Sequence, residues 1–80
     1  MPKLKTYESG NRNWFNAKGQ RHREDGPAIE LSNGSKYWYL NGQLHRIDGP
    51  AVEYINGRKE WYIKGIKYTE EKYYAQIKNI

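Results

Sequence analysis

The sequence predicts an all-β fold in which short antiparallel hairpins stack into one twisted sheet, with a short helix closing its C-terminal end. Three observations carry that expectation. The 80-residue chain repeats itself with a period of about 23 residues, so that His22-Arg23-Glu24-Asp25-Gly26-Pro27-Ala28 aligns with His45-Arg46-Ile47-Asp48-Gly49-Pro50-Ala51, and Asn33-Gly34 with Asn56-Gly57. Each copy holds short aromatic or aliphatic runs separated by Gly-containing dipeptides, the composition of hairpin strands and their turns. Within the runs, side chains alternate in character as they do on a strand: Trp38 and Leu40 oppose Tyr37 and Tyr39, and Trp61 and Ile63 oppose Tyr62. A period of this length marks units that cannot bury their apolar side alone and must stack.

The elements follow in chain order as one repeat domain over residues 1–80. Residues 4–13 are the tail of an earlier copy, since Gly10 matches Gly34 and Gly57 while Tyr7 matches Leu31 and Tyr54. Residues 14–37 form the first full copy; its run Phe15-Asn16-Ala17-Lys18-Gly19 is one residue longer than Tyr39-Leu40-Asn41-Gly42, and the extra residue belongs in a turn. Residues 38–60 form the second copy and 61–69 a partial third. Asn33-Gly34, Asn41-Gly42 and Asn56-Gly57 read as type I′ turns, with Lys18-Gly19 and Lys64-Gly65 in the same slot as Asn41-Gly42. In Asp25-Gly26-Pro27 and Asp48-Gly49-Pro50, the Asp is expected to accept a backbone hydrogen bond and Gly to permit the bend. The tryptophans and their aliphatic partners are expected to face the core. From residue 70 to 79 the pattern turns helical: Thr69 can cap, Glu70 and Glu71 suit the first turn, and Tyr73, Ile77 and Ile80 recur on one side, where they would cover the last repeat.

Composition bounds the chemistry. A chain this short buries a smaller share of its surface than a large one, so three Trp, eight Tyr and one Phe carry much of the burial available to it. There is no Cys, hence no disulfide framework or thiolate site, which fits a reducing, cytoplasmic setting. No apolar run reaches the roughly 18 residues of a membrane span, and no membrane role is expected. Fourteen Lys and Arg against nine Asp and Glu leave a net charge of +5, spread along the chain, which points either to a plain soluble surface or to a polyanionic partner.

His22 with Asp25 and His45 with Asp48 are the groupings closest to acid–base or metal chemistry. They recur at equivalent positions, as framework residues do, and two His supply too few ligands for zinc. No enzyme activity, cofactor or metal is expected. Arg23 and Arg46 recur too, and are expected to pair with Asp or with Glu30 and Glu53, the alternative being a ladder of free guanidinium groups. Tyr37, Tyr39, Tyr62 and Tyr68, with the non-recurring Arg12, Arg21, Arg58 and Lys59, form the expected contact surface.

The order aromatic, Gly, His, Gly, Asn-Gly in roughly 23 residues resembles the MORN repeat, although Arg23 and Arg46 stand where MORN units have Gly and Trp replaces the usual Tyr. The His-Arg-x-Asp-Gly-Pro-Ala variant is similar to repeats in small proteins of tailed bacteriophages. The resemblance implies a stacked-hairpin scaffold and a binding surface rather than a defined activity. The expected function is therefore a phage-type accessory or counter-defence protein that binds and modulates a host protein, working in the host cytoplasm. The alternative is a sequence-tolerant binder of RNA or single-stranded nucleic acid. Unpaired sheet edges leave a homodimer open.

Overall fold

In the computed structural model, which describes residues 2–79, nine short strands precede a single helix. They are β1 (Lys3–Thr6), β2 (Arg12–Phe15), β3 (Ile29–Glu30), β4 (Lys36–Tyr37), β5 (Tyr39–Leu40), β6 (Gln43–Leu44), β7 (Val52–Glu53), β8 (Lys59–Ile63), β9 (Ile66–Tyr68) and α1 (Glu70–Ile77). Seven of the strands make one antiparallel sheet in the order β1-β2-β3-β4-β7-β8-β9, while β5 and β6 form a hairpin of their own. The architecture is the mostly β stack of hairpins with a C-terminal helix that the sequence predicts.

The turns divide into two kinds, and only one matches expectation. Asn41 (φ 49°) and Gly42 (φ 82°), like Lys64 (φ 49°) and Gly65 (φ 82°), are both left-handed, which is the type I′ geometry that suits the twist of the flanking strands. Asn33 and Asn56 are not left-handed; only the glycines after them are. There the loop is one residue longer, closed by Leu31 N–H to Ser35 O and Gly34 N–H to Leu31 O, both 2.9 Å, and the same pair of bonds joins Tyr54, Gly57 and Arg58. The asparagine oxygens serve as acceptors instead, taking the N–H of Ser35 at 2.9 Å and of Arg58 at 3.0 Å. Asn-Gly is compatible with either turn, and the length of the loop chooses.

The turns at the other end connect successive units. His22 Nδ1 accepts the backbone N–H of Asn41, and His45 Nδ1 that of Lys64, each at 2.9 Å. Gly42 N–H reaches Arg21 O at 2.9 Å and Gly65 N–H reaches Leu44 O at 2.8 Å. No His precedes Trp14 in the chain, and the first unit closes its own turn: Asn16 Oδ1 accepts the N–H groups of Lys18 and Gln20, both at 3.0 Å. The extra residue of that copy lies in this loop, which Asn16 Nδ2 also ties to the next unit by donating to Asn41 Oδ1 at 3.2 Å.

Cross-strand partners share a face of a pleated sheet, so the register separates two surfaces. Trp14, Arg12, Glu30, Lys36, Glu53, Lys59, Trp61 and Tyr68 lie on one, the tryptophan face. Asn13, Phe15, Ile29, Tyr37, Val52, Glu60 and Tyr62 lie on the other, the tyrosine face. The expectation that the tryptophans and their aliphatic partners face the core holds for Ile63 and is corrected for the tryptophans. Trp14, Trp38 and Trp61 are each only half-buried, whereas Ala28, Ala51, Val52, Ile63 and Tyr73 are the buried apolar residues. The molecule measures 39 × 30 × 17 Å; packed sheets lie about 10 Å apart, so so thin a slab cannot cover both faces of its sheet with a second layer.

At the C-terminal end Thr69 caps α1 by accepting the N–H of Lys72 at 3.2 Å, and Glu70 and Glu71 occupy the first turn. The helix packs on β8 and β9 and fully buries Tyr73, with Ile77 partly covered. It ends at Ile77, short of the predicted 79, and Ile80 lies outside the described residues. The Tyr73 hydroxyl donates to the carbonyl of Arg46 and accepts the N–H of Gly49 at 3.3 Å. Burial pushes the phenol above its usual range, so it holds the proton that the first of these bonds requires.

Candidate functional site

Most cations of the tryptophan face are already partnered. Arg23 stacks its guanidinium 3.8 Å from the centre of the Trp14 ring, and Arg46 stands 3.8 Å over Trp38. The polar edge of each is also engaged. Arg23 Nε meets Asp25 at 3.0 Å while its Nη1 reaches Pro27 O at 3.2 Å and Glu30 at 3.3 Å; Arg46 meets Asp48 at 2.9 Å, Pro50 O at 2.9 Å and Glu53 at 3.2 Å. The pairing expected for these arginines is present, but the aspartates serve the guanidinium groups rather than the backbone of their own turns. The glycine of each Asp-Gly-Pro leaves room for this approach: a Cβ on Gly26 or Gly49 would stand 3.1 Å from a guanidinium carbon and push the arginine back by a few tenths of an ångström.

Register adds a row of alternating charge across this face: Arg12, Glu30, Lys36, Glu53 and Lys59 follow one another on adjacent strands. Arg12 is bound to Glu30 at 2.6 Å. Two of the predicted contact residues, Arg12 and Lys59, thus belong to a charge-alternating ladder and not to a cationic track. Tyr68 pairs with Trp61 and sits on this face as well, opposite to Tyr62. The predicted eight-residue surface is therefore divided between two sides of the sheet, with Arg12, Lys59 and Tyr68 on the tryptophan face.

The tyrosine face assembles the rest. Tyr37 meets Tyr54 edge to face with ring centres 6.1 Å apart, and Arg58 lies 5.7 Å from the Tyr54 ring. Burial, and next the Glu60 carboxylate, raise the Tyr54 phenol above its ordinary range. Tyr62 falls on this face by register, and Tyr39 occupies the slot equivalent to Tyr62 one unit earlier. Beside Tyr37 a groove of about 410 Å³ is lined by Tyr7, Asn13, Arg21, Ile29 and Leu31. Tyr7, Tyr54 and Asn13 were not among the predicted contact residues. The two-residue spacing of Val52 and Tyr54 was the available signal for Tyr54; buried Asn13 has none, since nothing in the sequence distinguishes it from a turn asparagine.

The histidines have a defined protonation requirement. To accept a backbone N–H, Nδ1 must be unprotonated. Burial, and next the Lys64 ammonium, lower the pKa of His45 below its ordinary value of 6.5. The folded state therefore favours neutral imidazole, and as pH falls below about 6.5 the unfolded chain takes up the proton first. The contribution of His45 to stability is complete above that pH and is lost as pH falls through the lower folded-state pKa. Thermal melts at about pH 7.5 and about pH 5 are expected to show this loss, and His45→Gln, which keeps an acceptor but does not titrate, is expected to flatten the dependence. An unchanged slope in that variant would locate the acid sensitivity elsewhere.

Among the described residues there is no cluster of three or more His, Asp or Glu placed to hold a metal, and no helix is long and apolar enough to cross a membrane. Comparison with known protein families, with curated proteins and with solved structures finds no match to this chain.

Proposed function

We propose that the chain is a non-catalytic binding module that engages another protein through its tyrosine face. The observation that carries this reading is the contrast between the two sides of the sheet. On the tryptophan face the arginines are stacked and ion-paired and the charged row alternates in sign. A backbone of phosphates requires the opposite, a continuous run of unneutralised cations. The tyrosine face instead offers half-buried aromatic rings beside a groove that sets Tyr7, Ile29 and Leu31 around the polar Asn13 and Arg21, a mixture suited to interface anchors. The resemblance to phage repeats makes a host protein the expected partner, with the role of binding and modulating it.

Nucleic acid binding is the competing reading, favoured by the net charge of +5. Salt separates the two. A partner protein held by aromatic anchors is expected to stay bound when salt is raised to about 0.3 M, while a phosphate-bound ligand releases steeply as counterions compete. The expected result is a nuclease-resistant, salt-tolerant complex, with Tyr37→Ala or Tyr62→Ala costing about 2 kcal/mol of binding and Arg58→Ala with Lys59→Ala changing it little. Loss of the complex on nuclease treatment, or a strong effect of the Arg58 and Lys59 pair, would establish the nucleic-acid reading.

A further inference from the structure

The three units carry different residue pairs in one slot of the tyrosine face. When each unit is taken to start one residue before its tryptophan, Asn13 and Arg21 fall in the first unit, Tyr37 and Leu44 in the second, and Glu60 and Lys67 in the third, at equivalent positions. In the third unit the cation is neutralised, Lys67 Nζ standing 3.4 Å from a Glu60 oxygen. In the second the slot is apolar. In the first, the guanidinium is held by a neutral amide: Arg21 Nε donates to Asn13 Oδ1 at 3.1 Å. Among the described residues no carboxylate pairs with Arg21.

The geometry points to Arg21 as a carboxylate-recognition site, fitted to an acidic side chain flanked by apolar residues on a partner protein. Asn13 is buried, with 6% exposure, so its amide is a fixed acceptor rather than a mobile surface group. It takes the Nε–H and leaves both Nη groups of an exposed arginine free. The backbone of Arg21 is held too, by its bridge to Phe15 and by the bond from Gly42 N–H to its carbonyl. A guanidinium oriented at both ends loses little freedom when it binds, and its planar edge matches the two oxygens of a carboxylate. Ile29, Leu31, Tyr7 and Tyr37 wall the same groove and supply apolar contact on either side of the charge. The inference rests on the reading that the tyrosine face binds protein, and specifies what chemistry it recognises there.

The test uses the folded chain and two short probes, acetyl-Leu-Asp-Leu-amide and its Asn counterpart, with inorganic phosphate as a third. The readout is the NMR resonance of the Arg21 Nε–H, titrated to about 10 mM, where even a ligand of millimolar Kd is largely bound. The Asp peptide is expected to shift it and to bind at least about tenfold more tightly than the Asn peptide, a charge-assisted bidentate contact being worth that much. Asn13→Asp, which gives the first unit an internal carboxylate like that of Glu60, is expected to abolish the preference while leaving the weak apolar binding of the Asn peptide in place. Arg21→Gln, which lacks the Nε–H and is followed instead by the backbone amides of Leu31 and Tyr37 in the same groove, should do the same. Equal binding of both peptides, a preference that survives Asn13→Asp, or no shift with either peptide would overturn the inference, as would a phosphate response equal to that of the Asp peptide. Equal binding that is nonetheless weakened by Tyr37→Ala would leave the protein-binding reading standing. Peptides that bind nowhere on this face, alongside tight RNA binding, would remove both.

Discussion

Tyr73→Ala is expected to remove about 3 to 5 kcal/mol of folding stability, the cost of deleting a fully buried aromatic side chain. The ring is 0% exposed and is the largest side chain that α1 inserts against the sheet. Its hydroxyl also joins the helix to the loop of the second unit through Arg46 O and Gly49 N–H, groups far away in sequence. Native domains are stable by only about 5 to 15 kcal/mol, so the variant should lose most of its cooperative transition in urea. Tyr73→Phe keeps the ring and deletes the hydroxyl, and is expected to cost about 1 to 2 kcal/mol because two backbone groups lose their partner. If Tyr73→Ala unfolds with the parent midpoint, α1 is not what closes the array. Thr69 contributes at the other end of the same device, and its substitution by Ala should cost about 1 kcal/mol.

The second large effect belongs to Arg46→Ala, expected to cost about 3 kcal/mol, near the lower bound for breaking a buried pair. Arg46 is only 21% exposed and Glu53 36%, so solvent screens that contact less than a surface ion pair, while the 81% exposed Asp48 contributes little. Three acceptors and an aromatic ring would lose their common partner, and Glu53 would remain partly covered without its cation. Arg46→Lys retains the charge but loses the planar fork and the stacking surface, and should recover less than half of the loss. A double-mutant cycle with Trp38→Leu measures the ring's share. Coupling of about 1 kcal/mol is expected for a partly desolvated cation over an aromatic face; coupling near zero would make the stack incidental and leave the carboxylates as the source of the effect.

Repeated sequence accounts for repeated contacts, and that part of the fold was legible. Period, Gly-containing turns and strand alternation are local properties, and the hairpins, the type I′ turns at Asn41-Gly42 and Lys64-Gly65 and the Thr69 cap all follow from residues within a few positions of one another. The pairing of Arg23 and Arg46 with nearby acids was accessible for the same reason, since their partners lie two and seven residues on.

What the tertiary structure decided is everything that depends on register between units. Asn33 and Asn56 keep negative φ because three residues, not two, separate the paired ends of their loops, and dipeptide composition does not encode that length. Tyr68 lies on the opposite side from Tyr62 because Trp61 is its cross-strand partner. The buried core settles on Ala28, Ala51, Val52, Ile63 and Tyr73, since a molecule only 17 Å across its thinnest axis leaves Trp14 and Trp38 to be covered by Arg23 and Arg46. Asn13 and Arg21 become a pair only when the chain after β2 turns back far enough for Arg21 to bridge Phe15. A single chain records which residues recur; which face each one occupies is set by hydrogen bonds between strands, and those exist only once the units have stacked.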